Sequence, residues 1–480
     1  MARITVSPVG YEEFDQELGS DPLGLMTRLR DEGTVSAVPL DDGTRLIVAA
    51  EPAVAAAALA HGTRNHRGLL RDLVGSGLFV VASGEQWRHR RALLRPMFSA
   101  RAVAELHTLV LESAEDFVRR RLLPAAGREF DLGHTLQQLS IEIILRLVDP
   151  ELTGAELASL ASTVDTAVHY LDRRLFAPET VTEADGEAFA RDRAVLEEFI
   201  AHRAAQVPAA ATADGVLPSL VAALQQRGDT LGDRPEDVLR EELMSIFVAG
   251  VETMGTLLTW TFHNLAGSPP ALARALDEVR STDLGALRAA PSIPQGALPY
   301  TLAVVEESLR LHPPAWALFR RIATPVEAAG VRLEPGDLVL ASTYAIHRAP
   351  ALWEAPEEFR PERFLGRRPP VQQYFPFGAG PHQCLGRQFS LLEAQLATAT
   401  ILAHGRFTLL GDRAATGLRP AIALTPDPSP RAVFTPHPDT DPEPDRGTDT
   451  GTDRGTDRGT GTAPATTGLG SARKHPSGAR

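Results

Sequence analysis

The sequence predicts a mainly α-helical domain with small β-sheets, and three observations carry that prediction. Apolar residues recur at helical spacing: Val103, Leu106, Val110 and Phe117 fall on one face, and Leu136, Leu139, Ile143 and Leu147 on another. Strand signals are short and isolated, centred on the turns Asp41-Asp42-Gly43 and Pro335-Gly336-Asp337. No repeat or linker divides the 480-residue chain before Pro436. A hydrophobic share of 43% suffices for a sizeable core, so one large domain is expected over residues 1–435.

The elements follow in order. Met1 to Gly10 has neither a basic nor an apolar leader region, and the Ala-rich run Val48 to Ala60 is broken by Glu51 and Pro52. A cytoplasmic chain with no membrane anchor is expected. Its formal net charge of −13 argues against a nucleic-acid partner. Ser36 to Ala49 reads as a strand pair. Residues 61–84 form a glycine-bearing loop with Leu69, Leu70, Leu73, Val74, Leu78 and Phe79, either a pocket wall or a packed surface loop.

Trp87 to Arg91 opens a helix on which Trp87 and Arg91 share a face, an indole N–H beside a guanidinium, suited to an anionic carboxylate. Arg88, Arg90, Arg95 and Arg101 make a basic face, either solvated or a docking patch for an acidic partner. Asp131 is placed to cap the helix that follows it. Two helical stretches between Leu157 and Val207 flank a turn-rich span near Pro178. Residues 236–266 carry one long helical pattern with Ala249-Gly250-Val251-Glu252-Thr253 at its middle. Glycine there costs about 1 kcal/mol against alanine and so calls for a packing or functional reason.

Glu307 and Arg310 meet at i, i+3 on a helix over 302–311. Val331 to Ala341 reads as a strand hairpin, and short strands run from Leu402 through Phe434. From Pro436 to Arg480, Gly-Thr-Asp-Arg units replace apolar residues. That segment cannot offset its ordering entropy and is expected to be disordered.

Cys384 is the chain's only cysteine, which excludes an intramolecular disulfide and a thiolate-rich zinc site. Glycines and a proline precede it, and a helical pattern follows from Leu385 to Leu402. A sulfur delivered just before a helix N-terminus is favoured as thiolate. Such a thiolate can be the axial ligand of a haem iron; a lone cysteine by itself is as well read as a small core residue.

The pattern Phe377-x-x-Gly380-x-His382-x-Cys384-x-Gly386 resembles the haem-binding signature of the cytochrome P450 monooxygenases, and the resemblance extends over roughly residues 10 to 435. The family usually has Arg where His382 stands. The resemblance implies a haem-enclosing domain of that fold with haem b, Cys384 on the iron, and Phe377, Gly380, His382 and Gly386 around it. It further implies propionate contacts from Trp87, Arg91 and Arg321. Gly250 leaves room for dioxygen, and Glu252 with Thr253 relays protons. Glu307, Arg310 and Arg363 resemble the family's Glu-Arg-Arg triad, and Trp316, Leu318 and Phe319 are expected along the pocket.

The implied reaction inserts one atom of O2 into an apolar small molecule of terpenoid, fatty acyl or polyketide type. Electrons come from a separate ferredoxin and ferredoxin reductase. Pro313 to Trp316 resembles members that oxidise cyclic terpenes. A haem-binding sensor or carrier without oxygenase activity is the alternative, and a peroxide-driven member would lack the Glu-Thr pair.

Overall fold

The computed structural model describes residues 5–7, 11–40, 43–64, 71, 75–78, 80, 84–207, 215–227 and 233–438. The expected disordered tail lies outside the described residues from 439 onward. So do Leu69, Leu70, Leu73, Val74 and Phe79 of the expected pocket-wall loop.

The apolar periodicities become packed helices. The chief ones are α1 (Pro22–Glu32), α2 (Pro52–His61), α3 (Gly84–Leu94), α4 (His107–Phe117), α5 (Leu132–Val148), α6 (Gly154–Phe176) and α7 (Glu183–Gln206). They are followed by α8 (Pro235–Ala266), α9 (Pro299–Leu311) and α10 (Arg387–His404). Local chemistry sets their starts. Asp131 accepts the His134 N–H at 2.8 Å and caps α5, while Thr153 with Glu156 and Thr182 with Asp185 close capping boxes on α6 and α7. Helix α8 runs through the main core. Among the described residues it alone is long and apolar enough to cross a membrane, and 72% of its most apolar window is buried inside the domain.

A six-stranded sheet lies to one side, with strands β1 (Thr5–Ser7), β2 (Thr34–Pro39), β3 (Arg45–Ala49), β4 (Gly62–Arg64), β5 (Ala317–Ile322) and β6 (Leu338–Ser342) in the order β1-β2-β3-β6-β5-β4. Strands β2 and β3 pair antiparallel as expected, with residues 41 and 42 of their turn outside the described residues. The hairpin expected over 331–341 does not form. Both edges of β6 are taken, by β3 and β5, so Val331–Leu333 pairs instead with Val326–Ala328. The last strand, Arg431–Pro436, pairs with Gly405–Leu409, and His437 donates its N–H to His404 O at 2.9 Å. The ordered chain therefore runs past Pro436.

Candidate functional site

The loop before α10 is shaped by two left-handed glycines, Gly378 (φ 68°) and Gly380 (φ 70°). A Cβ on Gly380 would stand 2.3 Å from Leu59 O, so the loop lies directly on the end of α2. A short turn over Gly380–His382 follows, and the Cys384 N–H closes the loop onto Phe377 O at 2.9 Å. Gly378 and His382 are buried, yet Cys384 is exposed. The fold therefore presents the sulfur to open space instead of packing it. At Gly386 a Cβ would meet only the Cys384 Sγ, at 3.9 Å, and Ser390 Oγ, also at 3.9 Å, both ordinary contacts. No protein neighbour requires glycine there.

Helix α3 brings Trp87 and Arg91 to this loop. The Trp87 ring lies 4.2 Å from that of His382, and Arg91 donates to Gln383 O at 3.0 Å. Burial lowers the Arg91 pKa, while the charge of Cys384 opposes that shift. Three of the residues expected around the cofactor thus stand together beside the sulfur.

Arg321 does not join them. Side chains alternate along β5, and Arg321 points to the turn, donating to Gly336 O at 2.8 Å. Arg320 is the one buried against the cysteine loop, with Nη2 3.6 Å from where a Cβ of Gly378 would be. Leu318 shares that face, its Cδ1 3.5 Å from the same point, whereas Phe319 is on the other face and exposed. Trp316, just before the strand, donates to Ala421 O at 3.1 Å. Arg320 and not Arg321 takes the face toward the cysteine loop because the pairing of β5 with β6 and β4 sets the phase of the alternation.

On α8 the residues Ile246, Ala249, Gly250 and Thr253 are partly exposed amid buried Phe247, Val248, Val251 and Met254. Their spacing of i, i+3, i+4 and i+7 makes one open face on a core helix. Thr253 donates its hydroxyl to Ala249 O at 2.8 Å, with Gly250 O at 3.2 Å. Gly250 has a packing reason: a Cβ there would lie 2.5 Å from Ile144 Cδ1 of α5. The Cβ position of Gly250 is thus turned toward Ile144 of α5, while the residue itself stays partly exposed on the open face. Gly255 serves the same approach, since a Cβ there would be 2.9 Å from Gln137 Cα. The close packing lets Gln137 Nε2 donate to Glu252 Oε2 at 3.1 Å. Burial pushes the Glu252 carboxyl up to about 7, and Asp172 adds to the shift. A carboxyl at that value can both release and take up a proton near neutral pH. Gln137 carried no motif in the sequence.

Supports surround the site. Arg310 clamps Glu307 through Nε at 2.7 Å and Nη2 at 2.8 Å, and Arg363 Nε reaches Glu307 Oε1 at 3.2 Å. Arg310 also donates to His347 O, Pro356 O and Glu358 O, so the buried pair is satisfied. Of the expected basic face, Arg88, Arg95 and Arg101 are exposed, but Arg90 is buried against Asp233, Glu241 and Glu242. A groove of about 520 Å³ opens along the start of α10, with Arg367, Arg368 and Arg387 on its walls. Between the last two, burial raises the Glu306 carboxyl to about 7.

The family model for cytochrome P450 matches residues 42–429. A relative described as putative cytochrome P450 137, from Mycobacterium tuberculosis, is 31% identical over 375 residues, covering 76% of this chain and 74% of its own length. Cyclooctat-9-en-7-ol 5-monooxygenase of Streptomyces melanosporofaciens is 30% identical over 354 residues, covering 70% and 73%. Pentalenene oxygenase of Streptomyces avermitilis is 28% identical, covering 74% and 78%. The crystal structure of CYP175A1 from Thermus thermophilus superposes with a TM-score of 0.70 at 26% identity, over 90% of this chain and all of that one.

Proposed function

This chain belongs to the cytochrome P450 family and is a monooxygenase with a haem-iron cofactor, and on that footing we propose how its residues are used. The observation that carries the reading is Cys384, exposed at the end of a loop that buries Gly378 and His382, with Trp87, Arg91 and His382 gathered beside it. That set fits a flat, anionic macrocycle: one thiolate for the iron, and N–H donors for carboxylates at the rim. Phe377, Gly380 and Gly386 shape the loop around it. The group is haem b, held without covalent attachment, because the single cysteine is taken as the ligand. Arg320, and not Arg321, is the strand arginine that meets a propionate.

When bound, the haem supplies the activation of O2 and the transfer of one oxygen atom to the substrate. Overall the reaction takes in O2, two electrons and two protons, and the second oxygen atom leaves as water. The chain's residues handle the protons. Thr253 turns its hydroxyl from Ala249 O toward the open face of α8, and Glu252 replaces the proton that it passes on. Gln137 holds the carboxyl in that orientation.

The substrate is an apolar small molecule, and we assign it to the terpenoid class. The naming of two relatives for cyclooctat-9-en-7-ol and pentalenene supports this, as does the apolar Leu318 beside the cysteine loop. Electrons come from an acidic ferredoxin, itself reduced by a ferredoxin reductase, docking across Arg88, Arg95, Arg368 and Arg387.

An absorption spectrum of the dithionite-reduced protein under carbon monoxide tests the reading. A strongly red-shifted Soret band, lost in Cys384→Ser, is the expected result. A band at the imidazole position would overturn thiolate ligation and favour a haem carrier or sensor. Spin-state shifts on adding cyclic terpenes, fatty acids and macrolides would then rank the substrate classes.

A further inference from the structure

We propose that the groove along the start of α10 is a second small-molecule site, which takes an amphiphilic anion, and that its occupant shuts ferredoxin off the arginines at the head of the groove. The second half rests on the reading of Arg368 and Arg387 as part of the ferredoxin surface; the binding itself does not.

The lining is divided by chemistry. Arg368, Arg387 and Glu306 line both the groove of about 520 Å³ and a smaller cleft of about 170 Å³ against Phe377, Gly378 and Gln383. They therefore mark the end of the groove nearest the cysteine loop. Val103, Ile293, Leu302 and Phe364 line the groove alone, so its apolar stretch runs away from that end. The volume falls within the range of about 300–1,000 Å³ usual for small-molecule sites.

The walls are fixed before anything binds. Ile293 donates its N–H to Ala104 O at 3.0 Å, and Gln395 Nε2 donates to Ala297 O at 2.7 Å and to Leu298 O at 2.9 Å. The loop on one side is thus tied both to α10 and to the short helix Ala100–Glu105. The cations at the head lack partners: among the described residues the side chains of Arg367, Arg368 and Arg387 make no salt bridge or hydrogen bond. No side chain caps α10, so the N–H groups of its first turn add positive charge there. An aliphatic or isoprenoid tail suits the apolar stretch, and a carboxylate or diphosphate head suits the guanidiniums.

Glu306 makes the head sensitive to pH. Arg368 and Arg387 face it, the Tyr374 hydroxyl donates to its main-chain oxygen at 2.9 Å, and its neighbour Glu307 is turned away to Arg310. Burial keeps Tyr374 protonated, and the other polar lining, Gln295, Gln388 and Gln395, is neutral. With its carboxyl at about 7, Glu306 is protonated on the acid side and leaves both arginines to the ligand; on the alkaline side its carboxylate claims them. Affinity for the anion therefore falls as pH rises through neutrality.

Calorimetry on the holoenzyme tests the site. A bulky azole that ligates the haem iron first fills the substrate side, and laurate, farnesyl diphosphate and neutral dodecanol are then titrated in on both sides of pH 7. One anion per chain is expected to bind on the acid side, with dodecanol about ten-fold weaker or worse. The tighter of the two anions names the head group. Arg387→Gln should weaken binding about ten-fold, Ala104→Trp should abolish it by filling the groove, and Glu306→Gln should remove its pH dependence. No binding by either anion, equal binding of dodecanol, or binding indifferent to Ala104→Trp and Arg387→Gln overturns the site. Stopped-flow reduction by a surrogate ferredoxin, without the azole, tests the second half. The bound anion should slow reduction several-fold in the parent and not in Ala104→Trp. Binding without slowing fails the ferredoxin reading and leaves the site standing. If neither anion binds and Ala104→Trp alone slows reduction, the groove belongs to ferredoxin and the proposal is overturned.

Discussion

Both carboxylate oxygens of Glu242 stand 3.1 Å from the main-chain nitrogen of Leu78. The segment Gly75–Leu78 is thereby fastened to α8, and Gly77 allows the approach, since a Cβ there would lie 2.1 Å from Ser245 Oγ. Arg90 completes the arrangement from α3, reaching Glu242 Oε1 at 3.2 Å. The helix that carries Trp87 and Arg91 is thus joined to the helix that carries Glu252 and Thr253 through one buried ion cluster.

Removing the cation leaves Asp233, Glu241 and Glu242 without their shared partner. Arg90→Met is expected to destabilise the fold by about 3–5 kcal/mol. Burial already holds Glu242 near 7, above its ordinary value, and Arg90 is the main opposing influence. Without Arg90 the carboxyl rises further, so the loss should deepen as pH increases through neutrality. Thermal melts on the acid and alkaline sides of pH 7 would check this. A loss independent of pH would point to packing alone.

Glu393 offers a second pH signature. It is fully buried in α10, and desolvation raises its carboxyl to about 8, with Ser140 opposing only weakly. An acid raised on folding favours the native state at low pH, and that contribution is lost as pH climbs from the unfolded value near 4.5 through about 8. Glu393→Gln keeps the shape and removes the titration. It should flatten the alkaline fall in melting temperature, worth on the order of 5 kcal/mol across that window. Parallel profiles for the two proteins would refute this.

The two glycines of α8 differ in what they face. Gly250→Ala meets only the terminal methyl of Ile144, which can rotate, and the helix gains about 1 kcal/mol in propensity. Near-neutral stability is expected. Gly255→Ala meets the Gln137 backbone, which cannot yield without moving α5, and should cost about 1–3 kcal/mol. Urea denaturation separates the cases.

Arg320 and Arg321 make a matched pair of tests. Arg320→Gln is expected to speed haem loss to a scavenging apoglobin on the order of ten-fold, the worth of one charge-assisted contact. Arg321→Gln should leave that rate unchanged, since its partner is Gly336 O. The reverse order would show that the cofactor lies on the other face of β5.

The helices from α3 onward, the position of the cysteine before α10, and the members of the Glu307, Arg310 and Arg363 cluster were legible in the amino-acid order, whereas α1 and α2 were not read as helices. Those features are written in spacing between near neighbours, where a helical period or a turn residue acts through local geometry. Which of two adjacent arginines faces the cysteine loop was not legible, because strand phase depends on pairing with β6 and β4. Packing also buried Arg90, which the local pattern placed on a basic face, and gave Gly250 a neighbouring helix as its reason. Gln137 and Asp172 lie far from Glu252 in the chain, and the hydrogen bond of the one and the charge of the other act on it only after α5 and α6 pack against α8. A charge's partners are fixed by distance through space and by the water excluded between them, and neither is set by local sequence.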